Sequence, residues 1–316
     1  MNGLRGHRLS VAVGILLLFM PFWMGAIGGY TELATRILVM ALAAMSLNFL
    51  LGFTGVLSFG HAAYFGLGAY GAAMAIKYLG AGTLPAIALG MLVATLAAMI
   101  IGGLIVRRRG VYFAMVTIAF GQVFYFLAFR WNSLTGGDDG LTGWHRAPID
   151  FGFATLDIFG SDKAFYYLVL AIFGVSVGAM ALLLASPFGR TLVAIRENER
   201  RARFLGVPIE FHIWLSFVVS CLFVSVAGAL YALLNNFTDP RALRFDLSGN
   251  LVIMAVLGGM RSFWGPLIGA AIFVALQDFV SSRTENWMSV IGLVFVLVVR
   301  FFPRGVLGML RNAAKA

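Results

Sequence analysis

Long runs of apolar side chains, separated by short polar stretches, constrain the fold of this chain more than any other feature. The hydrocarbon core of a bilayer requires roughly 20 consecutive apolar residues in a helix. About ten candidate runs lie near 9–28, 34–51, 57–78, 84–105, 111–130, 164–185, 212–234, 249–258, 266–282 and 287–302. They are continuous and lack the alternating pattern of a membrane β-barrel. The sequence therefore predicts an all-α, polytopic transmembrane helical bundle of about ten helices.

Composition excludes a soluble fold. The chain is 61% hydrophobic and only 11% charged, whereas soluble domains are about 25% charged. We therefore expect a single membrane domain over residues 1–316. The run at 249–258 is too short for a plain span, so it is expected to be tilted, broken or continued through the glycines that follow. Although Arg5 and Arg8 precede the first run, no clear cleavage site follows it, and we interpret it as a retained helix.

The distribution of charge predicts the orientation. With the N-terminus in the cytoplasm and the spans alternating, most of the 23 lysines and arginines fall on the cytoplasmic side, as the positive-inside rule requires. Both termini are then cytoplasmic, and 131–163 is an external loop. Because the basic residues are spread over loops beside membrane spans, the net charge of +10 indicates topology in a lipid bilayer and not binding to nucleic acid.

One internal stretch differs from its apolar surroundings. Residues 186–211, SPFGRTLVAIRENERRARFLGVPIEF, are here called the charged segment. A Gly-Arg opening and a stop at Gly206 and Pro208 describe a short helix outside the membrane. Two interpretations are open at this point: a docking surface for a soluble partner, or an ordinary positively charged loop.

The sequence contains no recognisable catalytic motif. The four histidines are scattered, Cys221 is the single cysteine, and there is no phosphate-binding loop. We therefore expect neither an enzyme nor a metal site or cofactor of its own, and transport energy must come from an ion gradient or a partner. Asp278, late in the ninth run, is the carboxylate nearest to mid-membrane, which is a weak basis for proton coupling.

A few polar or small residues within the spans are candidates for a translocation path. They are Asn48, Ser58, Gly60, His61, Tyr64, Thr117 and Gln122. For each polar residue taken alone, helix–helix hydrogen bonding is the favoured interpretation. As a set, Asn48, Ser58, His61 and Tyr64 fall on adjacent glycine-rich segments and could line a path. Such an uncharged path suits a neutral or zwitterionic solute.

Glycines cluster in two regions, around residues 52–71 and 258–269. Helix packing and broken helices are both open interpretations of these clusters. Each region contains a Ser-Phe pair, Ser58-Phe59 and Ser262-Phe263, which hints at an internal duplication, although the placement does not fit a simple repeat of spans.

Five sequence blocks, in order, resemble the permease subunits of branched-chain amino acid ABC importers. They are SLNFLLGFTGVLSFGHAAYFGLGAY (Ser46–Tyr70), GVYFAMVTIAFGQV (Gly110–Val123), SLTGGDDGL (Ser133–Leu141), SPFGRTLVAIRENERRARFLGV (Ser186–Val207) and LGGMRSFWGPLIGA (Leu257–Ala270). The chain is more similar to the M-type permease than to the H-type, and it is also similar to urea-importer permeases. The resemblance covers roughly residues 35–305.

The resemblance implies a type II ABC importer-like bundle in a bacterial inner membrane. Its expected partners are a second, homologous permease that forms a heterodimer, two cytoplasmic ATPases that bind the ATP, and a periplasmic solute-binding protein. It assigns the charged segment to ATPase docking. The docking residues are Gly189, Arg190, Ala194, Arg196, Glu197, Asn198 and Gly206, and we add Arg201 from the basic run that follows.

This chain departs from the family pattern at two places. Arg200-Arg201-Ala202-Arg203-Phe204 replaces small and acidic residues, so the docking surface is expected to be more basic. Arg261 stands where many relatives have glycine, and we interpret it as a topology residue. Three alternatives remain: a urea or short-amide permease, a proton-coupled secondary transporter, and a membrane scaffold that carries no flux.

Overall fold

The computed structural model describes residues 12–24, 29–146, 149–150, 155–156, 161–301 and 305. Within this part the chain is helical almost throughout. Residues 12–18 are also helical, ahead of the first bounded helix. The helices are α1 (Met20–Met24), α2 (Thr31–Asn48), α3 (His61–Leu79), α4 (Thr83–Ile105), α5 (Val111–Arg130), α6 (Asn132–Thr135), α7 (Asp162–Ala185), α8 (Pro187–Glu197), α9 (Glu199–Phe204), α10 (Ile209–Asn235), α11 (Phe245–Gly258), α12 (Gly265–Ser281) and α13 (Trp287–Phe301). The prediction of an all-α polytopic bundle is confirmed.

Five of these helices are long and apolar enough to cross a membrane. They are α2 with its continuation to Thr54, α4, α5, α7 and α10. The other predicted runs correspond to α3, α11, α12 and α13, which are shorter or richer in glycine. The first run lies partly outside the described residues, and so does the basic tail after residue 305.

The short run predicted at 249–258 is the second part of α11, which begins at Phe245. With 14 residues it rises about 21 Å at 1.5 Å per residue, less than a bilayer core. Gly258 ends the helix, and Gly259 adopts φ +112°. The span is therefore broken.

The described residues of the predicted external loop, 131–163, contain few regular elements. These are α6, a 3₁₀ turn (Gly137–Asp139) and an antiparallel pair of short strands, β1 (Ile149–Asp150) and β2 (Thr155–Leu156). Leu141 pairs with Thr238 in an isolated antiparallel bridge. This bridge attaches the loop to the segment that follows α10.

The centre of the bundle is formed by α2 and α10, whose apolar stretches are 89% and 83% buried. Helix α10 packs against α2, α3 and α4. In contrast, only 28% of the corresponding stretches of α5 and α7 is buried. Because large apolar side chains such as Leu182 and Met115 stay exposed there, these two helices face lipid or another membrane subunit.

Glycines bring the central helices into backbone contact. A Cβ on Gly228 of α10 would lie 1.8 Å from the Phe65 carbonyl oxygen, and one on Gly68 of α3 would lie 2.2 Å from that of Ser225. On the other side of α3, a Cβ on Gly90 of α4 would lie 2.4 Å from the Gly68 carbonyl oxygen. Helix packing therefore explains these glycines.

Candidate functional site

Two helices are interrupted inside the bundle by turns of the same pattern. After Asn48, α2 continues as a π-helix (Phe49–Thr54), Gly55 takes a left-handed conformation, and α3 begins only at His61. The candidate runs near 34–51 and 57–78 correspond to these two helices, and six non-helical residues, 55–60, separate the π-helix from α3. The residues between α11 and α12 form the second interruption.

The two interruptions share one register. Gly55 and Gly259 both have positive φ, and each lies three residues before the serine of a Ser-Phe pair. Three residues after that serine, α3 and α12 begin. We call residues 55–60 and 259–264 the twin turns. This local repeat accounts for the hint of duplication in the sequence.

The end of α2 packs against the second twin turn. Asn48 Nδ2 donates a hydrogen bond of 3.2 Å to the Ser262 carbonyl oxygen. Gly52 packs so closely that a Cβ there would lie 2.1 Å from the Met260 carbonyl oxygen. The π-helix that leads into the first twin turn is therefore in direct contact with the backbone of the second.

A buried polar network holds the start of α3. His61 is fully buried, with Nε2 2.7 Å from Ser220 Oγ and Nδ1 3.1 Å from Ser58 Oγ. The Ser220 hydroxyl donates its only proton to the Ser46 carbonyl oxygen. Ser220 Oγ can therefore only accept a hydrogen bond from His61, and Nε2–H must be the donor. A neutral ring protonated on Nε2 satisfies all of these groups, which is the arrangement of a structural histidine.

Most of the path candidates lie inside this subunit and contact one another. Thr117 accepts a hydrogen bond of 3.3 Å from the Phe59 amide, and a Cβ on Gly60 would lie 2.7 Å from the Thr117 carbonyl oxygen. Tyr64 is 2% exposed and packs its ring edge-on against Phe217. The structure thus brings together Ser58, Gly60, His61, Tyr64 and Thr117 around the start of α3. Asn48 instead contacts the second twin turn.

Gln122 lies apart from this network. It lines a shallow groove of about 610 Å³ on the exposed side of α5, together with Val123, Phe126, Leu127, Arg130 and Trp131. Since α5 is poorly buried within the subunit, this groove is open to whatever packs beside it.

The charged segment folds into an amphipathic pair of helices, α8 and α9. Ser186 caps α8, with its Oγ accepting from the Gly189 amide at 3.4 Å, and Pro187 occupies the first turn. Asn198 Oδ1 caps α9 by accepting from the Arg201 amide at 2.9 Å. Leu192, Ile195 and Ala202 point inward and are at most 4% exposed.

The predicted docking residues divide into two groups. Those that reach the surface are Arg190, Ala194, Glu197, Asn198, Arg201 and Gly206. Gly189 is buried, and it packs so closely on the end of α7 that a Cβ there would lie 2.4 Å from the Leu184 carbonyl oxygen. Arg196 also turns inward, and its guanidinium donates to the Gly52 carbonyl oxygen.

An ion-pair cluster connects this pair of helices to its neighbours. Arg109, after α4, lies 3.2 Å from Glu199 and 3.6 Å from Glu210, and Arg203 lies 3.3 Å and 3.0 Å from the same two carboxylates. These side chains are 30–60% exposed, so each pair contributes on the order of 0.2–1 kcal/mol at most. Their geometry matters more, because α4, α9 and α10 meet here.

Two exposed apolar side chains of the charged segment were not predicted from the sequence to be site residues. Phe204 is 91% exposed and Leu205 is 78% exposed, at the end of α9. Among charged neighbours, an adjacent Phe-Leu pair is the signal that could have identified them. Large apolar groups exposed in this way mark contact surfaces.

The opposite face of the bundle carries other charged groups. The Tyr30 hydroxyl donates a hydrogen bond of 2.8 Å to Asp278, and this bond raises the pKa of Tyr30. A cavity of about 240 Å³ lies in this half of the bundle, with Arg36, Asp239 and Arg241 among its lining residues. Asp278 therefore already has a partner close to the end of α12.

The structure is that of a multi-pass membrane protein, a helical bundle with broken inner helices and an attached amphipathic pair of helices. A family model described as "Branched-chain amino acid transport system / permease component" matches residues 29–299. The chain belongs to this family of permease components.

Known relatives agree with the family assignment. The chain is 29% identical to the high-affinity branched-chain amino acid transport system permease protein LivM of Escherichia coli strain K12, over 96% of this chain and 76% of the relative. It is 24% identical to permease protein BraD of Pseudomonas aeruginosa, over 85% of this chain and 91% of the relative. It is 32% identical to LivH of Escherichia coli strain K12, but over only 39% of this chain and 40% of the relative. No solved structure matches the chain.

Proposed function

We propose that this chain is the membrane-spanning permease subunit of an ATP-driven ABC importer in a bacterial inner membrane. The solute is a branched-chain or other hydrophobic amino acid, delivered by a periplasmic binding protein. A second, homologous permease completes the membrane unit, and two ATPase subunits bind the ATP, so that this chain needs no cofactor of its own. The family and the LivM and BraD relatives support this proposal.

The charged segment is the observation that carries the proposal. Its two capped helices are anchored through Leu192 and Ile195 of α8 and Ala202 of α9, while charged side chains and the Phe204–Leu205 pair stay exposed. An exposed aromatic anchor surrounded by charge has the composition of a protein interface. We assign this surface to ATPase docking, with the charged segment on the cytoplasmic side.

The groove on α5 supports the need for a second permease. Its wall, with Gln122 and Phe126, is open on one subunit alone. Two such surfaces facing each other would enclose a mostly apolar path whose polar groups are Gln122 and, at the end of α5, Arg130. Such a path suits an amino acid zwitterion with an apolar side chain better than a bare ion. The buried network around His61 then acts as scaffold for the path and not as its wall.

A proton-coupled carrier is the alternative that a single residue can test. Such carriers place a carboxylate within the membrane, and Asp278 is the candidate. Its hydrogen bond with Tyr30, at the end of α12, favours a structural role instead.

Co-purification tests the proposal. The tagged chain is isolated from native membranes in mild detergent, and its companions are identified by mass spectrometry. For each copy of this chain, one copy of a second homologous permease and two ATPase subunits are expected. Reconstitution of the purified chain by itself provides the counter-test: leucine uptake driven by a pH gradient without any ATPase would refute the importer proposal. Binding of urea rather than leucine by the associated binding protein would keep the class and change the solute.

A further inference from the structure

We propose that Arg196 is a positioning residue that ties the charged segment to the broken end of α2. In the sequence it stands among the ATPase-docking residues, and in the structure it points the other way. Its role is to transmit displacement of α8 to the twin turns. This inference rests on the proposed function, since the displacement comes from the ATPases.

The first support is the partner of the Arg196 guanidinium. Nη1 donates to the carbonyl oxygen of Gly52, 144 residues away in sequence. Gly52 lies in the last turn of the π-helix, where carbonyl groups lack a partner within the helix. A cation at this position satisfies the free carbonyl and is also favoured at the negative end of the helix dipole.

The second support is the shape of the contact. Gly55 adopts φ +79°, and a Cβ on it would lie 2.7 Å from Arg196 Cγ. The stem of Arg196 therefore runs over the backbone of the first twin turn, where only glycine leaves room for it. The Arg196 side chain is 23% exposed, whereas that of Glu197 is 71% exposed, and the two form only a long ion pair of 4.0 Å between Arg196 Nη2 and Glu197 Oε1. The Arg196 guanidinium is thus turned inward.

The third support is that further close contacts connect Gly52 to the second twin turn. The same glycine touches the Met260 carbonyl oxygen of the second twin turn, and one helical turn earlier Asn48 holds Ser262. On the other side of the first turn, Ser58 and His61 lead to Ser220 on α10. Backbone contacts of this kind transmit displacement because packed interiors are hardly compressible.

Contiguous contacts alone do not establish coupling, so the experiment must separate binding of the ATPase from transmission. The complete complex is purified with Arg196→Gln, Arg196→Lys or Gly55→Ala in this chain. Arg107→Gln, an exposed arginine outside the charged segment, is the matched control for loss of one positive charge. Two quantities are measured: the ATPase recovered per permease, and the leucine taken up per ATP hydrolysed in proteoliposomes.

For Arg196→Gln we expect wild-type recovery of the ATPase and an uptake per ATP about tenfold lower, within the range of measured coupling between sites. Gly55→Ala should reproduce this loss, because it displaces the same side chain from the opposite side. Arg196→Lys, which retains the charge but not the planar guanidinium, should give an intermediate value. Arg107→Gln should match the wild type in both quantities.

Loss of the ATPase from Arg196→Gln complexes would overturn the inference and return Arg196 to the docking surface. Unchanged uptake per ATP in both Arg196→Gln and Gly55→Ala would overturn it as well. If Arg196→Gln does not fold, Arg196→Lys and Gly55→Ala decide the question. If the wild-type chain itself recovers no ATPase, the proposed function fails, which is a different result from failure in the variants.

Discussion

Gly228→Ala should destabilise the bundle strongly for a change of one methyl group. The added Cβ would lie 1.8 Å from the Phe65 carbonyl oxygen, and ordinary contacts begin at 3.4 Å. Helices α3 and α10 would therefore have to separate by about 1.6 Å at this point. The obstacle is backbone, which cannot rotate away as a side chain could.

The size of the effect follows from two opposing contributions. Overpacking a well-filled interior typically costs 1–3 kcal/mol. Because the added Cβ meets backbone, which cannot move aside, we take the upper end of this range, about 3 kcal/mol. Alanine gains about 1 kcal/mol over glycine as a helix former. The net destabilisation is then about 2 kcal/mol, which for a chain of 316 residues corresponds to a melting temperature lower by about 3 °C.

Thermal melting of the detergent-solubilised protein, followed by fluorescence-detected gel filtration, measures this. Gly178→Ala in α7 is the matched control, since nothing lies within 4 Å of its added Cβ. It should melt at or slightly above the wild-type temperature. A Gly228→Ala protein as stable as the Gly178→Ala protein would refute the argument that backbone contact makes this glycine necessary.

Three further outcomes are expected. Replacing Phe204 and Leu205 together by alanine should leave the amount of folded chain unchanged, since both are exposed, but should remove most of the co-purified ATPase; full recovery would exclude them as anchors. His61→Ala should lower thermal stability by about 1–2 kcal/mol, because two buried hydroxyl groups lose their partner, while the KM for leucine stays the same; a raised KM with unchanged melting would instead place His61 in contact with solute. Asp278→Asn keeps an acceptor for Tyr30 and should transport normally at every pH, whereas abolished uptake would support proton coupling.

The helical class and the segments that form the bundle were predictable because both depend on local patterns. Apolar runs long enough for a bilayer appear in the sequence as such, and the charged segment is visible by contrast with its surroundings. Its capping residues, Ser186 and Asn198, act on amides three residues away. The boundaries near residues 49–60 were not predictable in the same way, since the π-helix depends on how α2 packs.

The direction of particular side chains was decided by tertiary structure alone. Arg196 resembles its exposed neighbours in sequence, but a free carbonyl 144 residues away turns it inward. His61 could equally have lined a path, and Ser220, 159 residues away, makes it a buried structural residue. The sequence by itself determined that this chain is a membrane bundle with a charged segment outside the spans, because hydrophobicity and capping act locally. Which of its polar residues face a partner and which hold the fold depended on contacts between distant segments, and those exist only once the helices have packed.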